Sequence, residues 1–255
     1  MHKGISRMAR AGALPAALAC AIGAAGASAL PPRANAAPAG AAAHGDAGVL
    51  YDQSGTPANG TPAQAFPSPD DAFSAEAADD FHVDDPEGWR IASVRLQASI
   101  SDPDATGVAW RVAILPDDGG VPGSVPACSS NGLAGILDAQ QTWLELTLPE
   151  SCPLPAGSYW LSVQASAANP PQVFWSGNAG EPVGAEALWR NPGGAFEAGC
   201  TGWAPLSSCS GFDPVGGGSR NYLFQLVGTI GAAGDGVFCD GFDGLPCTAR
   251  GAATL

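Results

Sequence analysis

From Val94 to Ile100 apolar and polar residues alternate without a break, Val94, Leu96, Ala98 and Ile100 against Arg95, Gln97 and Ser99. Successive side chains of a strand point to opposite faces, so this stretch predicts one strand with a single apolar face. Val108, Trp110, Val112 and Ile114 repeat the pattern, with Arg111 pointing the other way. Leu144/Leu146/Leu148 and Tyr159/Leu161/Val163 do the same inside predicted strands at Thr142–Leu148 and Ser158–Ser166. Further strands are predicted at Gln172–Trp175 and Tyr222–Thr229, with shorter ones at Val49–Asp52, Asp79–Val83 and Ala187–Trp189. Turn chemistry separates them: Ser101–Asp104, Pro116–Gly120, Pro153–Gly157 and Asn191–Gly194. No segment carries a sustained helical period with caps. The expectation is an all-β domain over residues 49–230, a two-layer antiparallel β-sandwich that is jelly-roll-like. No internal repeat is present.

The N-terminus reads differently. His2, Lys3, Arg7 and Arg10 precede an Ala- and Leu-rich stretch over residues 11–29, and small residues offer cleavage after Ala29 or Ala36. Residues 1–36 are therefore expected to be a signal peptide. Pro15 and several glycines interrupt the apolar stretch, which barely reaches the ~20 residues of a membrane span. A lipoprotein attached through Cys20 is the alternative, although Ala17 stands where a large aliphatic residue is usual. Residues 37–48 are expected to be a flexible leader. Six cysteines follow in three close pairs, Cys128 with Cys152, Cys200 with Cys209 and Cys239 with Cys247. Downstream of an export signal such pairs predict disulfides in an oxidising compartment, the cell exterior or surface, with the periplasm as alternative. Zinc binding by thiolates would need Cys-x2-Cys spacing or nearby histidines, and neither occurs.

Charge narrows the partners. Beyond residue 36 the chain has six Arg and no Lys against 24 acids, a net charge of −18. That sign repels phosphate backbones and argues against nucleic acid as a partner. It also raises a structural calcium ion, for which Asp79, Asp80, Asp84, Asp85, Asp102, Asp104, Asp117 and Asp118 are the candidate donors. None of them falls in an EF-hand loop or a glycine-rich nonapeptide, and solvated turn carboxylates are the simpler reading. No other cofactor is expected. His82 is the one histidine in the domain, and Gly-x-Ser-x-Gly and His-Glu-x-x-His are both missing. Glu145, Glu150, Glu181, Glu186 and Glu197 could supply a glycosidase pair only if two of them faced each other across a cleft. Trp143, Trp160, Trp175, Trp189 and Trp203 are candidate sugar-stacking platforms, weighed against the usual role of large aromatics as core filling.

The motifs Leu50–Gln53, Ala78–Val83, Gly88–Ile91, Gly119–Gly123, Ala156–Ser162, Phe174-Trp175, Trp189–Gly194 and Cys200–Trp203 occur in one order along the chain. That ordered set resembles a module of secreted bacterial proteins, found as an accessory part of larger exported proteins, some of them proteases. The resemblance implies fold and location and supplies no catalytic residues. The tail over residues 231–255 holds Asp235–Asp243, which resembles a C-terminal signature of exported gammaproteobacterial proteins, Asp-x-Ile/Val-Phe-x-x-Gly-Phe-Glu/Asp. It implies a sorting or attachment element; a small disulfide-closed appendage is the alternative. The expected function is non-catalytic extracellular binding or surface association, with a glycan as candidate ligand. The alternatives are an envelope-associated structural protein and a hydrolase with an unrecognised carboxylate pair.

Overall fold

A computed structural model describes residues 47–102, 104–138, 142–211 and 220–231. The expected signal peptide, most of the leader, the Cys239–Cys247 pair and the tail from residue 232 lie outside the described residues. The described residues form fourteen strands: β1 (Gly48–Gln53), β2 (Pro57–Pro62), β3 (Gln64–Ala65), β4 (Glu76–Val83), β5 (Trp89–Leu96), β6 (Ala98–Ile100) and β7 (Ala109–Pro116). They continue as β8 (Cys128–Leu137), β9 (Leu144–Leu154), β10 (Gly157–Ser166), β11 (Val173–Asn178), β12 (Leu188–Arg190), β13 (Ala204–Pro205) and β14 (Phe224–Ile230). The only helices among the described residues are single 3-10 turns at Asp71–Phe73 and Leu206–Ser208.

Eleven strands form one sheet: ten follow the path β1-β14-β5-β9-β8-β7-β10-β4-β12-β13, and β3 pairs with β10 off that path. Five strand steps separate β5 from β4, about 24 Å in a flat sheet at ~4.8 Å per step. Yet the rings of Trp89 on β5 and Phe81 on β4 lie 6.4 Å apart and stacked. The sheet therefore folds back on itself, and the fold point is β8. Its first part, Cys128–Ala134, pairs with β7, and its last, Gly135–Leu137, pairs with β9. The result is two facing layers, β1-β14-β5-β9 and β7-β10-β4-β12-β13, as expected for a sandwich. A bulge opposite Arg111 helps β8 turn, and Gly132 there sits at φ 69°, where a side chain would be strained. Below the short β8–β9 pairing the two strands part into different layers. The Cys128–Cys152 disulfide rejoins them, with Cα atoms 5.9 Å apart.

The inner faces carry the predicted apolar sets. Val112, Ile114, Leu161, Val163, Leu146 and Val94 are all at most 1% exposed. Each such side chain contributes about 1.5–3 kcal/mol on burial. Two expectations need correction. The alternation from Val94 to Ile100 is not one strand: β5 ends at Leu96, Gln97 bonds to Leu223 and Ser176 backbone, and β6 joins a separate three-stranded sheet, β2-β11-β6. The predicted strand from Tyr222 likewise begins at Phe224, and Tyr222 instead bridges to Gly177 of that third sheet. Both segments change sheet at the same corner, where period-2 alternation continues unbroken and hides the step.

A candidate binding cleft on the outer face

Register places three rows of side chains across the outward face of the second layer. Arg111 pairs with Gln164, Val163 with Ala77 and Glu76 with Arg190, so Arg111, Gln164, Glu76 and Arg190 form one polar row over β7, β10, β4 and β12. The next row is small, Ala113 beside Ser162 beside Ala78, ending at Leu188. The third is Leu115, Trp160 and Asp80. Small residues flanked by large ones leave a trench. It encloses about 400 Å³, floored by Ala113 and Ser162, with Arg111 on one side and Leu115, Pro122 and Trp203 among its walls.

Each wall has a local cause. Trp203 lies in the loop closed by the Cys200–Cys209 disulfide, whose Cα atoms are 5.6 Å apart. It packs on Trp160, Leu188 and Ala78 and receives the Arg190 guanidinium 4.4 Å above its ring, a cation–π contact. Arg190 in turn donates from Nη2 to both Glu76 oxygens, at 2.8 and 2.9 Å, while Arg111 Nη1 stands 3.6 Å from Glu76 Oε2. The opposite wall is the loop after β7. Asp117 accepts from the Trp160 indole at 2.7 Å and from Gly120 N–H, and Gly123 N–H donates to Pro116 O, which folds Pro122 and Ser124 over the trench. The Ser162 hydroxyl has no hydrogen-bond partner among the described residues although the residue is 3% exposed.

Comparison with family models, curated proteins and solved structures found no match. The chemistry of the cleft is accordingly read from its own residues.

The tryptophans fall into two groups. Trp160, Trp175 and Trp189 are at most 1% exposed and offer no ring face to a ligand, a correction to their candidacy as platforms. Trp175 stacks on Tyr222 at 4.6 Å and donates to Leu223 O, and Trp189 donates to Pro62 O. Trp160 does point outward, as its phase along β10 requires, but Trp203, Leu188 and Asp117 cover it. Trp143 and Trp203 are half-buried; Trp203 lines the cleft and Trp143 stands at the β8–β9 turn.

The calcium candidates are dispersed. No group of three or more His, Cys, Asp or Glu side chains suited to a metal occurs among the described residues. Asp85 accepts Glu87 N–H and Asp102 accepts Asp104 N–H, each bracing its own turn, and Asp84, Asp104 and Asp118 are exposed. Asp80 accepts Ala185 N–H and feels the nearby Asp117 charge; burial first, then that charge, raises its pKa against the pull of its hydrogen bonds. Asp79 faces the interior and is 0% exposed. Its carboxyl receives Gln53 Nε2 and Tyr222 N–H on Oδ2 and Asn221 Nδ2 and Asp80 N–H on Oδ1. Burial holds its pKa well above the usual carboxylate range, opposed by those donors. Glu145 is tied to Ser93 and Arg95, and Glu186 to Ser207. His82 is exposed on the outer face with Nδ1 3.1 Å from Ser158 Oγ.

Sequence reasoning did not nominate Glu76, Arg111, Ser162 or Arg190 as site residues. Their signal lay in the strands' outward positions: charge at Glu76 and Arg111, then Ala78 and Ala113 two residues on, where a large polar residue is the norm.

Proposed function

We propose that this chain is a secreted, non-catalytic binding protein whose ligand surface is the cleft between Arg111, Ser162 and Trp203. The observation that carries the reading is the trench itself. An outward sheet face normally presents solvated side chains, whereas here Ala113 and Ser162 leave a hollow of about 400 Å³. That volume lies within the range of small-ligand sites, and a few convergent polar groups line it. Glu76, the carboxylate at its edge, is held by two guanidiniums and is poorly placed to serve as a general acid or nucleophile. Two disulfides among the described residues, and no helix there long and apolar enough to cross a membrane, are compatible with life outside the cell. A sugar or sugar-like ligand suits the mixture of hydroxyl, charged and aromatic groups.

The test is a glycan array probed with the full chain and with Ser162→Leu, which fills the floor. Binding by the natural chain that disappears in the variant supports the reading. Silence across neutral and acidic glycans, or a signal indifferent to the substitution, rules the cleft out.

A further inference from the structure

We infer that the cleft takes a carboxylate-bearing sugar, a uronic acid unit, and that Arg111 receives the carboxylate. The inference rests on the reading of the cleft as the binding surface and names its ligand class. Arg190 already serves both oxygens of Glu76, at 2.8 and 2.9 Å. Arg111 reaches the same carboxylate only at 3.6 Å, beyond a hydrogen bond, and has no other partner among the described residues. Its side chain is 39% exposed and lines the cleft. Among the described residues one guanidinium is therefore held only by the longer ion pair of its Nη1, and its residue borders the hollow. The planar fork of a guanidinium matches a carboxylate through two parallel hydrogen bonds.

The setting strengthens the point. The described residues include five arginines in a strongly acidic chain, and two of them meet at this one hollow. Beyond the charge, a sugar needs donors and acceptors for hydroxyls and apolar surface for its C–H faces. The cleft supplies Ser162 and Ser124 hydroxyls, the Asp118 carboxylate, and the walls of Leu115, Pro122 and Trp203. A peptide carboxylate is less well served. Strands β7, β10 and β4 are each paired on both sides, so the floor has no free backbone edge along which an extended peptide could add.

Calorimetric titration of the full chain at about 0.15 M salt, which shortens the reach of its negative field to ~8 Å, tests this. The probes are dimers of galacturonic, glucuronic and mannuronic acid, their methyl esters, and an acidic tripeptide. At least one uronide is expected to bind ten-fold or more tighter than its ester. Arg111→Gln should weaken the acid far more than the ester and bring the acid down to the level of the ester. Equal affinity for acid and ester, equal weakening of both by Arg111→Gln, or a tripeptide as tight as the uronide would overturn the inference. If Ser162→Leu abolishes binding of acid and ester alike while the two bind equally, the cleft stands and only the carboxylate reading falls. If no sugar or peptide binds, both fall. Arg111 is half-exposed, so its variant keeps the test informative should Ser162→Leu fail to fold.

Discussion

Glu76 and Asp79 stand on the same strand, β4, on opposite faces of the second layer. Glu76 points outward into a partly wet row and is neutralised by two guanidiniums. Asp79 points inward, bonds to no cation among the described residues and accepts from neutral N–H donors. A carboxylate at the surface can be held by charge at modest cost, because water still screens it. In the interior its position depends on oriented dipoles, each of which must stay in place. The inward site thus ties β1, through Gln53, and the segment before β14, through Asn221 and Tyr222, to β4; the outward site leaves chemistry accessible. Structure lies on one face of the strand and candidate function on the other.

The sharpest way to break this contrast is Asp79→Ala. It removes the acceptor of Tyr222 N–H, of Asp80 N–H and of one Gln53 amide hydrogen, while Asn221 Nδ2 keeps the Val183 and Ala185 carbonyls, and the expected loss is about 3–5 kcal/mol, read by chemical denaturation. A loss under about 1 kcal/mol would mean the network is replaceable and the contrast empty. The pH dependence gives an independent reading of the same group. With the folded pKa raised above the unfolded value near 3.8, the folded chain binds the extra proton. Its contribution is then complete below about pH 4 and declines as pH rises through the folded pKa. Asp80 shifts in the same direction. Stability of the natural chain minus that of Asp79→Asn, measured from pH 4 to 8, should therefore fall with pH. A difference that is flat or rising would show that the donors outweigh burial.

The outward face answers to a different element. Replacing Cys200 and Cys209 together by serine reopens a loop of sequence separation 9, which the chain-entropy argument values at about 2.5 kcal/mol. The change should also release Trp203 from Trp160 and weaken ligand binding, visible as altered tryptophan fluorescence. The Cys128–Cys152 bridge, closing a separation of 24, should cost somewhat more, about 3.5 kcal/mol, and leave the cleft intact. Equal effects on binding from the two bridges would refute the division of labour.

The inward half of this picture was legible in the letters. Alternation in β7, β9 and β10 marks their inner faces, because a buried face must be apolar at every second residue. What could not be read was held by contacts rather than composition. β8 carries Ser129, Ser130, Asn131 and Gly132, which show no apolar alternation, yet pairing with β7 along that stretch and with β9 beyond it makes the whole segment a strand. β2 carries Pro57 and Pro62 and survives as an edge strand, where a missing N–H costs least. The turn predicted at Asn191–Gly194 is also an anchor: Asn191 donates to Ala72 and Ser74 carbonyls, and Gly193 lies so close to Ala72 that any Cβ would collide with it. The cleft was invisible for a simpler reason. It is made by what is missing from Ala113 and Ser162, and an absent side chain signals a hollow only once its neighbours are placed.

Glu76→Gln has the smallest expected effect on stability and separates the two faces most cleanly. The amide keeps one acceptor for Arg190 but removes the charge, and the partly exposed pairing makes the loss about 1 kcal/mol. The same change releases Arg111 from its ion pair at the edge of the hollow. If Arg111 receives a ligand carboxylate, Glu76 competes with that ligand, and Glu76→Gln should tighten uronide binding several-fold, near the ~1 kcal/mol that screened partial pairs allow, while the methyl ester is unaffected. Stability and affinity would then move in opposite directions from one substitution. A carboxylate serving only to hold the fold would lower both together, and that outcome in paired unfolding and titration experiments would place Glu76 with Asp79, as scaffold.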